Sequence, residues 1–172
     1  LEHAANCITH GVLIIPSMSS GLKEHLITRA GQVTVINKSD SLITEISPGN
    51  LKCQKILFVD WSVPTMVIDD EQFGESIELF IFRVFQHLNR SQSTVRSIAF
   101  AVPDMCKQEE ILADELVEAT IHQMKSSSFK VSFVLTSDQR NLYNHFLKSI
   151  ENLQQGEENF GVFYCSMTSQ NC

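Results

Sequence analysis

The sequence predicts an α/β fold, because short apolar runs that read as buried strands alternate with longer segments of helical period. The runs at 12–15 (VLII), 55–60 (KILFVD), 97–102 (SIAFAV) and 131–135 (VSFVL) are almost unbroken by polar residues. Strands covered on both faces of a largely parallel sheet carry that pattern. The segments between and after them, 71–89, 109–125 and 142–153, repeat their apolar residues at three- and four-residue steps. With 172 residues, 43% hydrophobic and 19% charged, the chain is also long and apolar enough to bury one core around one sheet.

In chain order, residues 12–15 form a first strand ended by Pro16. Residues 21–30 form a helix entered through Ser19 and Ser20 and stopped by Gly31. Residues 33–36 and 43–46 read as short strands separated by the turn Asn37-Lys38-Ser39-Asp40, and Pro48-Gly49-Asn50 turns the chain into the strand at 55–60. Along 71–89, Phe73, Ile77, Phe80, Ile81, Val84 and Leu88 mark one face, with Phe82 and Phe85 widening it, so this helix is expected to be covered on much of its circumference. The helix at 109–125 turns Ile111, Leu112, Leu116, Thr120 and Met124 inward and Glu110, Asp114, Glu118 and His122 outward. The helix at 142–153 buries Phe146, Leu147 and Ile150. Residues 1–155 are read as one domain. Residues 156–172 are read as a C-terminal strand or linker, with FGVFYC at 160–165 as the strand candidate and 166–172 as a disordered end.

The net charge of −7 opposes a phosphate backbone, and the 13 Lys and Arg are scattered, so nucleic-acid binding is not expected. Five cysteines lie far apart without a CxxC pair, and Cys53 and Cys106 sit beside apolar runs, the pattern of reduced thiols packed as small hydrophobes. No signal peptide opens the chain and no apolar stretch is long enough for a bilayer. A cytoplasmic or nuclear location without membrane contact is therefore expected. The glycosylation triplets at Asn37 and Asn89 read as chance matches. The absence of an initiator Met suggests a segment of a larger protein.

No constellation has the spacing of a known catalytic site. The six histidines lack HExxH or Cys–His spacing, and His122 and His87 are expected on outer helix faces. Glu109, Glu110, Asp114, Glu115 and Glu118 are a possible docking face, but acidic residues on the outside of a helix, biased to its N-terminus, also follow from stability alone. Ser17, Ser19 and Ser20 lack the G-x-S-x-G elbow of a hydrolase and suit a helix entry. Trp61, directly after a buried strand, is expected in core or rim packing rather than in a ligand pocket.

Three stretches, in this order and spacing, resemble the macro domain, a module that in most families binds ADP-ribose. They are SSGLKEHLITRAG at 19–31, ITEISPGNLKCQKILFVDWSVP at 43–64, and SIAF at 97–100 followed by a helix and VSFVL. The resemblance covers roughly residues 10 to 153. It implies a three-layer α/β/α fold with a mixed central sheet and a ligand at the carboxyl ends of the strands. A glycine loop leading into a helix N-terminus would present free N–H groups to a diphosphate there. By this resemblance the ligand-binding positions, if binding is retained, are Ser17, Ser19, Ser20, Gly21, Leu22, Val102, Pro103 and Asp104. The same topology occurs in the non-catalytic portion of leucine aminopeptidases, and that alternative stays open.

The chain departs from the family pattern where the ligand would sit. Ile14, Ile15, Pro16 and Ser17 stand where the family holds a ribose with Asn-Ala-Ala-Asn. Ser19 and Ser20 replace two of three loop glycines, and the loop before them is shortened. Ala101, Val102, Pro103 and Asp104 replace the Gly-x-Gly turn of the second phosphate loop, where the Asp104 carboxylate would repel a diphosphate. The adenine-binding Asp falls near Glu2 or His3. No catalytic residue of the family's hydrolases transfers by position. The expectation is a non-catalytic macro-like module without a cofactor, belonging to a multidomain protein linked to ADP-ribosylation, with lost or weakened ADP-ribose binding. Its partners would be other domains of the parent chain or other proteins. The alternative is an ADP-ribose or nucleotide binding module with an altered pocket.

Overall fold

A computed structural model describes residues 11–17, 27–32, 34–40, 42–61, 69–91, 95–103, 108–124, 129–154 and 163–168. Among the described residues seven strands form one mixed sheet: β1 (Gly11–Pro16), β2 (Val35–Asp40), β3 (Ile43–Ile46), β4 (Lys55–Val59), β5 (Ser97–Ala101), β6 (Lys130–Thr136) and β7 (Phe163–Thr168). Their spatial order is β2-β3-β4-β1-β5-β6-β7. The block β4-β1-β5-β6-β7 is parallel, and β2 and β3 extend it as an antiparallel hairpin. The chain is thus an α/β protein with a mixed central sheet, as the alternation of apolar runs and helical periods predicts.

β1 lies at the centre, between β4 and β5, and all six of its residues are buried. Because side chains alternate across a strand, Val12 and Ile14 enter one core while Leu13 and Ile15 enter the other. The first core is covered by α1 (Asp70–Arg90), α2 (Glu109–Met124) and α3 (Arg140–Gln154). The second is smaller and holds Ala30 and Ile27 from the helical turn at 27–30, together with Leu51 and Cys53. Sheet and helices therefore make three layers.

An aromatic row binds the larger core across several elements. Trp61 stacks on Phe80 of α1 at 4.9 Å, Phe80 meets Phe100 of β5 edge-on at 6.2 Å, Phe100 stacks on Phe133 of β6 at 5.8 Å, and Phe133 lies 4.8 Å from Phe146 of α3. Each such pair adds roughly 0.5–1.5 kcal/mol beyond burial of its area.

Local signals set the element ends. The Asp69 carboxylate caps α1 by accepting the Gln72 N–H at 2.9 Å, and the Ser91 N–H closes its other end on the His87 carbonyl. Gly31, at φ +72°, ends the turn at 27–30 in the left-handed conformation that glycine permits. Gly49, at φ +57°, packs directly onto that end, and the next N–H, of Asn50, donates to the Ala30 carbonyl at 2.9 Å.

Several expectations are corrected. Residues 37–40, read as a turn, are the last four of the six residues of β2, an edge strand whose antiparallel partner is β3. Their polar composition hid them, because it carries neither the apolar run nor the alternation by which a strand is read from sequence. Phe82 does not widen the buried face of α1: it is 45% exposed, and only Phe85 joins the core. Residues 166–168, read as disordered, continue β7 alongside Val134, Leu135 and Thr136 of β6.

Candidate functional site

The topology places the site before any side chain does. β4 and β5 run on to α1 and α2 on one face of the sheet, whereas the chain leaving β1 reaches the helical turn at 27–30 on the opposite face. Neighbouring parallel strands whose connections leave in opposite directions open a crevice at their carboxyl ends. The carboxyl end of β1 is flanked in this way on both sides, and Ser17 stands there.

Ser17 is held by three hydrogen bonds to the end of β4. Its N–H donates to the Val59 carbonyl at 2.8 Å, its hydroxyl donates to Asp60 Oδ1 at 2.8 Å, and the same oxygen accepts the Trp61 N–H at 3.1 Å. The register that pairs Pro16 with Val59 brings these residues together. Trp61 is a core residue, as its position after an apolar strand suggests. Its indole N–H reaches Ser76 Oγ at 3.4 Å, and that hydroxyl donates to the Phe73 carbonyl.

Val102 and Pro103, at the end of β5, are both buried. The Val102 N–H donates to the Val134 carbonyl at 3.0 Å, and its carbonyl accepts from Gln139 Nε2 at 3.4 Å. Gln139 is itself buried, and its Oε1 accepts the Thr136 N–H at 2.8 Å, so a single amide ties the ends of β5 and β6. This backbone is committed to the sheet and has no N–H to turn toward a phosphate. Ser19, Ser20, Gly21, Leu22 and Asp104 lie outside the described residues, as do Glu2 and His3. Of the eight sequence-derived positions, the structure therefore places Ser17, Val102 and Pro103 at the carboxyl edge of the sheet.

The described part of that edge is acidic. Asp60 is exposed beside Ser17. Asp138, after β6, is held below the usual carboxylate range by a hydrogen bond from the Thr136 side chain and then by its own backbone N–H, so it stays ionised in weakly acidic solution. Among the described residues no group of three or more His, Cys, Asp and Glu could hold a metal ion, and no helix there is long and apolar enough to cross a membrane.

Sequence reasoning did not find Asp60 as a partner of Ser17, nor the Gln139 brace. It also missed a polar cluster at the opposite end of the sheet. Lys55 Nζ lies 3.2 Å from both oxygens of Glu45, and His87 Nε2 lies 3.3 Å from Glu45 Oε2. His87 is therefore a nearly buried partner of a carboxylate rather than a solvated surface residue. A signal existed: Glu45 is two residues after buried Ile43, and Lys55 two before buried Leu57, so both fall on core-facing positions.

No protein-family model matches the sequence, and no curated protein is similar enough in sequence to count as a relative. Among solved structures the chain is similar to the Oceanobacillus iheyensis macrodomain mutant D40A, with a TM-score of 0.63 and 12% identity over 85% of this chain and 93% of that one. At that identity the likeness concerns the fold, which is macro-like. A looser likeness, with a TM-score of 0.48 and 11% identity over 99% of this chain and 75% of the other, is to an ADP-ribosylation factor-like GTP-binding protein, the small COPII coat GTPase SAR1 from Encephalitozoon cuniculi, in complex with GDP.

Proposed function

We propose that this chain is a non-catalytic macro-like module whose ADP-ribose binding is lost or weakened, and which acts through protein contacts or by positioning neighbouring domains of a larger protein. One observation carries the reading. Ser17, where the resemblance expects a ribose-holding amide, spends its N–H and hydroxyl on bracing β1 against Asp60 and Trp61. A ligand that recruited this hydroxyl as a donor would have to break its bond to a carboxylate, and hydrogen bonds to charged groups contribute roughly 1.5–3 kcal/mol. The buried, paired Val102 backbone supports the same conclusion at the second phosphate loop, and the Asp60 and Asp138 carboxylates, at the ends of β4 and β6, oppose an anion along the same edge.

The alternative is an ADP-ribose or nucleotide module with an altered pocket, favoured by the crevice that the topology opens at β1. Isothermal titration with ADP-ribose, run beside a thermal-shift measurement, separates the two. A specific ligand at 100 times its dissociation constant stabilises its protein by about 2.7 kcal/mol. We expect no saturable heat and no shift at millimolar ADP-ribose. Saturable micromolar binding would overturn the proposal in favour of the altered pocket. Release of ADP-ribose from a modified protein substrate would refute the non-catalytic reading.

A further inference from the structure

Away from the carboxyl edge, α1 and α2 leave a groove on their outer side. Both helices run back across the sheet from the carboxyl ends of parallel strands, so they lie side by side and parallel. Gly74 of α1 sits against the carboxylate of Glu115 of α2: a Cβ there would come within 3.2 Å of it. Farther along, Glu75, Glu78, Leu79 and Phe82 of α1 face Ala119 and His122 of α2 across a cavity of about 370 Å³.

Two properties of this groove are unusual together. Leu79 and Phe82 are 46% and 45% exposed although α1 already buries a full apolar face elsewhere. They are three residues apart, one above the other on the helix surface. Beside them stand four carboxylates, Glu75, Glu78, Glu115 and Glu118, that form no ion pair among the described residues. Burial raises the Glu115 carboxyl above its ordinary range, and repulsion from Glu118, Glu78 and Asp114 raises it further.

We propose that the α1–α2 groove docks a basic amphipathic helix of a protein partner, its apolar face on Leu79, Phe82 and Ala119 and its Lys or Arg residues on Glu75, Glu78 and Glu118. This rests on the reading of the chain as an interaction module and says which face is used. Charge selects the occupant: a second copy packed symmetrically on this face would set its glutamates against their own equivalents, which costs association. A helix with basic flanks removes the repulsion and covers the two exposed apolar side chains together.

The test uses the whole chain and a fluorescein-labelled 18-residue peptide of leucine and arginine patterned as an amphipathic helix, read by fluorescence anisotropy. A matching leucine–glutamate peptide is the control. We expect saturable binding of the first peptide only, weakened about tenfold or more by Phe82→Ser or Glu78→Lys, as for central anchor residues. The variant Glu151→Lys, which makes the same charge change on an exposed site of α3, should change affinity less than about twofold, because screening confines an exposed charge to its neighbourhood. No saturation, equal losses in Glu78→Lys and Glu151→Lys, or equal binding of the acidic peptide would each overturn the proposal. So would a concentration-dependent dimer in sedimentation that Phe82→Ser dissolves, since the occupant would then be a second copy. The outcome is independent of the ADP-ribose titration: peptide failure with no ADP-ribose binding removes this groove alone, whereas ADP-ribose binding with peptide docking removes the lost-ligand reading alone.

Discussion

Cys53 packs in the smaller core beside Leu51 and Ile56, and burial pushes its thiol up from 9.0 to about 11. The neutral form is the one the core accepts, which fixes the sign of a pH effect. Between those two values the unfolded chain gives up this proton while the folded chain keeps it, so stability is full below about pH 9 and is lost as pH rises toward 11. Over that window the loss attributable to this residue is at most about 2–3 kcal/mol, reduced by the screening that solvent gives the thiolate. Urea unfolding of the native chain and of Cys53→Ala from pH 8 to 11 should show a steeper decline for the native chain. Parallel slopes would mean that the thiol is not desolvated. Ser17 shows how far a residue-level reading extends. Counting from the first strand puts it at the ligand edge, but its commitment to Asp60 and Trp61 follows from the pairing of Pro16 with Val59, a register that no local sequence signal encodes.

Helices α1, α2 and α3 and four of the five parallel strands were legible because both patterns are strong. α1 repeats its apolar residues through five turns, and β1, β4, β5 and β6 must be apolar on both sides to lie between two helical layers. β2 was legible only in part, since VINKSD carries neither signal and owes its strand to pairing with β3. Phe82 misled because periodicity says which side chains can be covered, while the neighbouring helix decides which are. At the junction between the turn at 27–30 and the loop before β4, glycine is required rather than preferred. A Cβ on Gly49 would lie 2.1 Å from the Ala30 carbonyl oxygen, and its φ of +57° already disfavours any other residue. Gly49→Ala should therefore cost about 2–4 kcal/mol, combining left-handed strain with displaced backbone. A midpoint in urea within error of the native chain would show that the two segments part without cost.

For the molecule as a whole, 20 acidic residues against 13 basic ones leave a charge of −7, and part of that excess is gathered between α1 and α2. A carboxyl raised in the folded state supports folding while protonated and opposes it once ionised, so the Glu115 penalty is absent in acid and in force at neutral pH. Glu115→Gln should raise the melting temperature at pH 7 in low salt, by an amount of about the size of one helix charge pair, a few tenths of a kcal/mol. The gain should shrink in high salt and vanish near pH 4. An increase that ignores both salt and pH would point to packing rather than charge. The placement of β1 has a consequence in time. The strand at the middle of the sheet is the first of the seven along the chain, yet its two neighbours are β4 and β5, with β2, β3 and α1 in between. A chain emerging from the ribosome therefore carries VLII without its first partner until β4 at 55–59 has been made, and without its second until β5 at 97–101. Over that interval its edges and apolar faces are open to non-native pairing.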